Sequence, residues 1–275
     1  MILGVNTLIW TAHFEAAHTS LFPKIKAHGF DGVEVARFSF DGFPAEEIRR
    51  AADGEGLQLA LCSAFVGNMS FADGVGNPRE HLLACLEAAV SIGAKVVVGP
   101  FCTPVGQLPG RRRTEEEWKR VVAGLQSVAG AYEKADVKLA LEPLNRFETY
   151  FLNTTADAVR LCAEVGSSHI GILFDTFHAN IEEKSVAGAL RSTGQWLAHV
   201  HTCENDRGAP GSGHVDWAGV VAALQERNYE GWCTIESFGF NIKEIAAAAC
   251  IWRDLAPSPD DIAWDGARFL RSVLP

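Results

Sequence analysis

Four acidic or imidazole side chains hold matching places in the second half of the chain: Glu142 in LALEPLN, Asp175 in ILFDTFH, His201 in HVHTCE and Glu236 in CTIESF. Each closes a short apolar or β-branched run, and each is about one βα unit from the next. Three carboxylates and one imidazole would neutralise a divalent cation and leave coordination positions open. An oxygen-rich set with one nitrogen suits Mn²⁺ or Mg²⁺, then Co²⁺, whereas Zn²⁺ usually takes more His or Cys. A single acid at a strand end serves more often as a helix N-cap or a solvated loop residue; four in successive units are harder to assign that way. Further polar groups follow in the same loops: Glu148 after Glu142, His178 after Asp175 and Arg207 after His201. An arginine and a histidine aimed into an acidic, metal-bearing pocket can hold hydroxyl or carbonyl oxygens and stabilise a developing oxyanion. A helix-start histidine bonded to backbone is the competing reading of His178, and a solvated loop charge that of Arg207.

The elements that must position these groups are legible as eight runs: ILGVNTLIW from Ile2, GVEVAR from Gly32, LQLALCSAF from Leu57, KVVVGPF from Lys95, KLALEPL from Lys138, IGILFDTF from Ile170, LAHVHTCE from Leu197 and WCTIESF from Trp232. Amphipathic stretches such as PREHLLACLEAAVSIG and TADAVRLCAEVG lie between them, with apolar residues at three-to-four spacing and Gly near the ends. Alternating strands and helices predict an α/β chain with a parallel sheet. A length of 275 residues suits one (β/α)8 TIM barrel domain over 1–275. An open doubly wound sheet ranks second, because no GxGxxG follows the first strand. Strand alternation puts Glu142 on the side of Ala140, Asp175 with Leu173, His201 with His199, and Glu236 with Thr234. Barrel closure would bring the four strand ends to the face where barrel enzymes keep their active sites. CTPVGQLPGRRR reads as a loop over one mouth, with Arg111, Arg112 and Arg113 as a solvated helix start. Residues from about 241 to 275 read as a C-terminal helical extension that covers the barrel or builds a subunit contact.

Composition narrows the function classes. Hydrophobic residues at 48% and charged ones at 21% are an ordinary globular mix. A formal charge of −10 argues against a phosphate-gripping surface, so nucleic acid is not an expected partner. No long apolar run predicts a membrane span, and the opening MILGVNTLIW lacks the marks of a secretory signal, which predicts a cytoplasmic protein. Seven scattered cysteines without a CxxC pair read as free thiols.

LEPLNRFETYFLNT from Leu141, ILFDTFHANIEE from Ile172, HTCENDRGAPGSGHVDW from His201, IESF from Ile235 and IWR from Ile251 resemble the ketose 3-epimerases of the D-tagatose, D-psicose and L-ribulose 3-epimerase type, in the xylose isomerase-like barrel superfamily. The resemblance concentrates in residues 138–253; the first half matches mainly in strand rhythm. It implies a divalent metal, usually Mn²⁺, on Glu142, Asp175, His201 and Glu236, with Glu142 and Glu236 also acting as the acid/base pair. It implies that Glu148, His178 and Arg207 contact the O1 to O3 region of a ketose, and that the protein is a homodimer or homotetramer. Where some members place an aromatic after the fourth strand, this chain reads PFCTPVGQLPG.

Several positions stay open at this point. Trp10, Cys62 and Phe65 are candidate pocket residues that core or rim packing explains better, Glu34 ends the second strand without an assigned role, and His199 reads as a buried structural histidine. Proton transfer between C1 and C2 would use the same metal site, making the protein an aldose–ketose or hydroxypyruvate-type isomerase. Phosphodiester cleavage and a silent sugar-binding barrel are the more distant alternatives. For a phosphorylated substrate, GAPGSGH is the one candidate phosphate loop.

Overall fold

The computed structural model describes all 275 residues. Eight parallel strands close into a barrel in sequence order: β1 (Ile2–Asn6), β2 (Gly32–Ala36), β3 (Gln58–Cys62), β4 (Val96–Gly99), β5 (Lys138–Leu141), β6 (Ile170–Asp175), β7 (Leu197–His201) and β8 (Trp232–Ile235). The closing seam pairs β1 with β8, Leu3 opposite Cys233 and Val5 opposite Ile235. Ten helices connect the strands: α1 (Phe22–Ala27), α2 (Ala45–Glu55), α3 (Pro78–Ile92), α4 (Glu115–Ala135), α5 (Thr155–Val165), α6 (Thr176–Glu182), α7 (Val186–Ser192), α8 (Trp217–Glu226), α9 (Lys243–Ala248) and α10 (Pro259–Val273). All eight expected strands are present, and the fold is the (β/α)8 barrel.

Strand alternation divides the apolar residues into two clusters. Val5, Val35, Leu61, Leu139, Ile172 and Val200 join the larger one, between the barrel wall and the helices. Ala60, Val98, Ala140, Leu173 and Trp232 form the smaller one, on the opposite strand face inside the barrel. The helices begin and end where their sequences say they should. Thr114 caps α4 in a capping box with Glu117, while α3 and α5 exit through Gly93 (φ 79°) and Gly166 (φ 76°).

Within the C-terminal extension, Ile262, Ala263, Ala267 and Leu270 of α10 are buried, and the helix packs against β1 and β8 as the eighth helix of the ring. Only the segment carrying α9 departs from the repeating pattern, and it lies at the mouth of the barrel. One expectation changes: Arg111 and Arg113 are not merely solvated. Arg111 pairs with Glu117 at 2.7 Å, and Arg113 pairs with Asp157 at 2.8 Å while stacking over Trp118. No helix is long and apolar enough to cross a membrane.

Candidate active site

Barrel closure brings Glu142, Asp175, His201 and Glu236 together. All four are buried, and each contributes a possible ligand atom within 4.8 Å of the others. Asp175 and His201 are the last residues of β6 and β7; Glu142 and Glu236 stand one residue beyond β5 and β8. Asp175 unites both readings of a strand-end acid: Oδ1 caps α6 by accepting the Phe177 N–H at 2.7 Å, and Oδ2 faces the cluster.

The cluster has unmet polar demand. His201 gives Nε2 to Glu34 Oε1 at 2.9 Å, so Nδ1 faces Glu236 Oε2 at 3.2 Å and Glu142 Oε1 at 3.7 Å. Neither His201 Nδ1 nor Glu142 Oε1 has a hydrogen-bond partner. Burial, reinforced by the Glu236 and Asp175 charges and opposed by His201, pushes the Glu142 carboxyl up to about 8. Burial likewise raises Asp175 to about 6 against the pull of Arg207. Burial alone would lower His201, but Glu236 and Glu34 outweigh it and hold the imidazole well above its ordinary value. Three converging carboxylates, an imidazole nitrogen without a partner and a buried carboxylate oxygen without a donor fit a divalent cation.

The three other expected residues surround this cluster. The Asn145 backbone N–H donates to His178 Nδ1 at 3.0 Å, while His178 Nε2 lies 3.0 Å from the donor Arg207 Nη2 and 3.6 Å from Glu142 Oε1. Burial, followed by the Arg207 charge, holds His178 well below its ordinary pKa, so the ring is neutral. His178 is therefore both bonded to backbone and aimed at the site. Arg207 is no solvated loop charge. It is buried, its Nη1 lies 3.1 Å from Asp175 Oδ2 and 3.3 Å from Glu236 Oε2, and its guanidinium sits 4.0 Å from the Phe177 ring and 4.7 Å from that of Phe238. Its φ of 70° is an uncommon conformation for a residue with a Cβ. Glu148 stands nearer the rim, accepting from Asn145 Nδ2 at 2.8 Å and lying 3.7 Å from Arg207 Nη2.

Glu204 explains how Arg207 is held. Its buried carboxylate accepts the backbone N–H of Gly211 and of Val215 and the Trp217 indole N–H, at 2.8–2.9 Å. Those bonds fold GAPGSGH into a fixed loop, and Gly208 N–H is taken by Asp206. The Gly208, Gly211, Ser212 and His214 amides are thus committed internally, which argues against a phosphate cradle.

The cavity above the cluster measures about 340 Å³. Glu142, Glu148, His178, Arg207 and Glu236 form its polar wall, opposite apolar residues that include Leu8, Phe38, Val66, Val105 and Ile245. Cys62 and Phe65 border it as core residues. Trp10 does not; its indole N–H donates to Asp260 at 2.7 Å. His199 is buried as a structural histidine, bonded to Thr234 at 3.0 Å and 2.7 Å from Glu34. Sequence reasoning left Glu34 without a role and missed Asn6, Asn145, Phe177, Phe238 and Glu204. The available signal was an acid in mid-strand, in GVEVAR, where only apolar residues belong.

Residues 22–273 match the family model described as xylose isomerase-like TIM barrel. A "Probable ketose 3-epimerase" of Synechocystis sp. is 38% identical over 98% of this chain and 96% of its own. A D-psicose 3-epimerase of Enterocloster bolteae is 40% identical over 96% of this chain and 91% of its own. The crystal structure of a D-allulose 3-epimerase from Methylomonas sp. superposes with a TM-score of 0.94 at 26% identity, covering 100% of this chain and 98% of its own.

Proposed function

The chain belongs to the ketose 3-epimerases of the xylose isomerase-like TIM barrel family, and from that membership we propose that it inverts C3 of a free ketose, with Glu142 and Glu236 as the acid/base pair. One observation carries the reading: four buried metal-competent side chains converge within 4.8 Å on the floor of a sugar-sized cavity whose remaining polar wall is Glu148, His178 and Arg207. Glu142, Asp175, His201 and Glu236 would hold a divalent cation, Mn²⁺ by preference and Mg²⁺ or Co²⁺ as substitutes, which would supply positive charge to acidify the C3 proton.

The chain's own groups do the rest. Glu142 and Glu236 enter from β5 and β8, so that one carboxylate removes the C3 proton and the other returns one to the opposite face. Arg207 offers its guanidinium to the oxygens at the C1–C3 end, with His178 Nε2 beside its Nη2 at 3.0 Å, and Glu148 accepts from a hydroxyl. The aromatic rings flanking Arg207 keep the guanidinium planar to the cavity wall. A free sugar is favoured over a phosphate ester because Arg207 is the only cationic side chain on the cavity lining, and it already faces two carboxylates. The seven free cysteines, six of them buried, support action in the reducing cytoplasm. We extend the proposal to a homodimer or homotetramer, which sedimentation velocity would establish.

Incubating metal-stripped protein, with and without Mn²⁺, with fructose, psicose, tagatose, sorbose, ribulose, xylulose and erythrulose, and reading products by NMR, tests the proposal. The expected result is a C3 epimer only when metal is present. An aldose as sole product would move the chemistry to C1–C2 and overturn it.

A further inference from the structure

One fully buried carboxylate next to the site has no part in the chemistry above. Glu34 lies in β2, two residues short of the strand end, and is 0% exposed. Its register partner on β3 is a plain alanine, Ala60, so the strand itself does not demand a polar group there. A carboxylate this deep is costly unless its partners satisfy it, and an apolar residue of similar volume is often at least as stable. Its partners indicate what it does instead.

Glu34 Oε1 accepts from His201 Nε2 at 2.9 Å and from Asn6 Nδ2 at 2.7 Å. Its other oxygen lies 2.7 Å from His199 Nε2. Asn6 Nδ2 reaches on to Glu236 Oε1 at 3.4 Å. Two hydrogen bonds therefore hold Oε1, His199 stands beside Oε2, and the carboxylate touches the cluster twice, directly at His201 and through Asn6 at Glu236. An ionised carboxylate can only accept, so His201 Nε2 must carry a proton. That leaves Nδ1 as the atom facing Glu142 and Glu236, so it is the Nδ1 proton that a cation would displace and the Nδ1 lone pair that it would take.

We propose that Glu34 is a positioning residue for the metal centre: by holding His201 in the Nε2–H tautomer, with His199 and Asn6 fixing its own rotamer, it presents His201 Nδ1 to the cation. The proposal rests on the metal-site reading above. The test is Mn²⁺ binding by calorimetry to metal-stripped wild type, Glu34→Ala and Glu34→Gln, with apo melting temperatures measured alongside. Glu34→Ala is expected to bind Mn²⁺ about 10- to 100-fold more weakly. Glu34→Gln keeps an oxygen able to accept from His201 and is expected to recover most of that loss. The remote variant Glu117→Gln controls for lost stability, and should melt lower with unchanged Mn²⁺ affinity. Imidazole ¹⁵N NMR of the Mg²⁺-loaded wild type, which needs no variant to fold, should show His201 protonated at Nε2 and bare at Nδ1. A Glu34→Ala protein with wild-type Mn²⁺ affinity, or a His201 carrying its proton on Nδ1 in the loaded protein, would overturn the inference. A wild type that binds no Mn²⁺ would instead overturn the proposed function, so the two failures are distinguishable.

Discussion

Arg207 shows how a residue can be placed for chemistry at a conformational cost. With a left-handed φ of 70°, the buried guanidinium lies 4.0 Å from the Phe177 ring and 4.7 Å from the Phe238 ring, aimed at Asp175 and Glu236. A lysine cannot reproduce a planar, stacked fork. Arg207→Lys should therefore lower kcat/KM by about 10²-fold, the scale of one lost oxyanion contact, while melting close to wild type; steady-state kinetics with scanning calorimetry checks both halves. At the same scale, Glu142→Gln or Glu236→Gln should cut kcat by about 10²- to 10⁴-fold, the usual worth of a general acid or base. Unchanged turnover in either variant would remove that carboxylate from the acid/base pair. The site residues were legible because each sits at a strand end where an apolar run stops, as in ILFDTF and CTIESF. Phe177, Phe238 and Asn145 were not, because aromatic and amide side chains in loops look the same whether they pack, cap or flank an arginine.

Among the elements, α4 carries the clearest pH-linked contribution. Glu117 accepts from Arg111, the Thr114 backbone N–H and Tyr150, and the Arg111 bond leads in holding its carboxyl at about 2, below the usual 4.5. A folded value below the unfolded one means that the unfolded chain binds the extra proton. This stabilisation is therefore complete above about pH 4.5 and is lost as pH falls toward 2. With Arg111 half exposed, solvent screening weakens the contribution without changing its sign. Denaturant unfolding between pH 3 and 7 should show a shallower acid limb for Glu117→Gln than for wild type; parallel limbs would contradict the assignment. The β7–α8 loop makes a second prediction. Glu204→Ala removes the acceptor for four N–H groups, so that loop should become protease-sensitive and kcat/KM should fall with it, although Glu204 lines no part of the cavity. That role was hidden in the sequence, where GAPGSGH reads as a glycine-rich cradle until its amides are traced to their acceptors.

For the molecule as a whole, the strand count and closure followed from period and spacing, since eight alternating runs in 275 residues leave little room for another architecture. The role of the last helix did not follow. The α9 segment separates α10 from β8, so in sequence the eighth barrel helix reads as part of a C-terminal extension. Because β1 and β8 meet beneath α10, truncation before Pro259 should expose the seam and abolish cooperative unfolding. Metal linkage acts at the same scale: Mn²⁺ at 100 times its Kd should stabilise the fold by about 2.7 kcal/mol, seen as a rise of several degrees in melting temperature that a chelator reverses.

The most direct measurement runs the Mn²⁺-loaded protein on its best ketose in D₂O and locates the deuterium by NMR. Proton exchange by the Glu142–Glu236 pair predicts a C3-epimerised ketose carrying solvent deuterium at C3 and none at C1. Deuterium at C1 or C2 with an aldose product, or a C3 epimer that retains the original hydrogen, would contradict it.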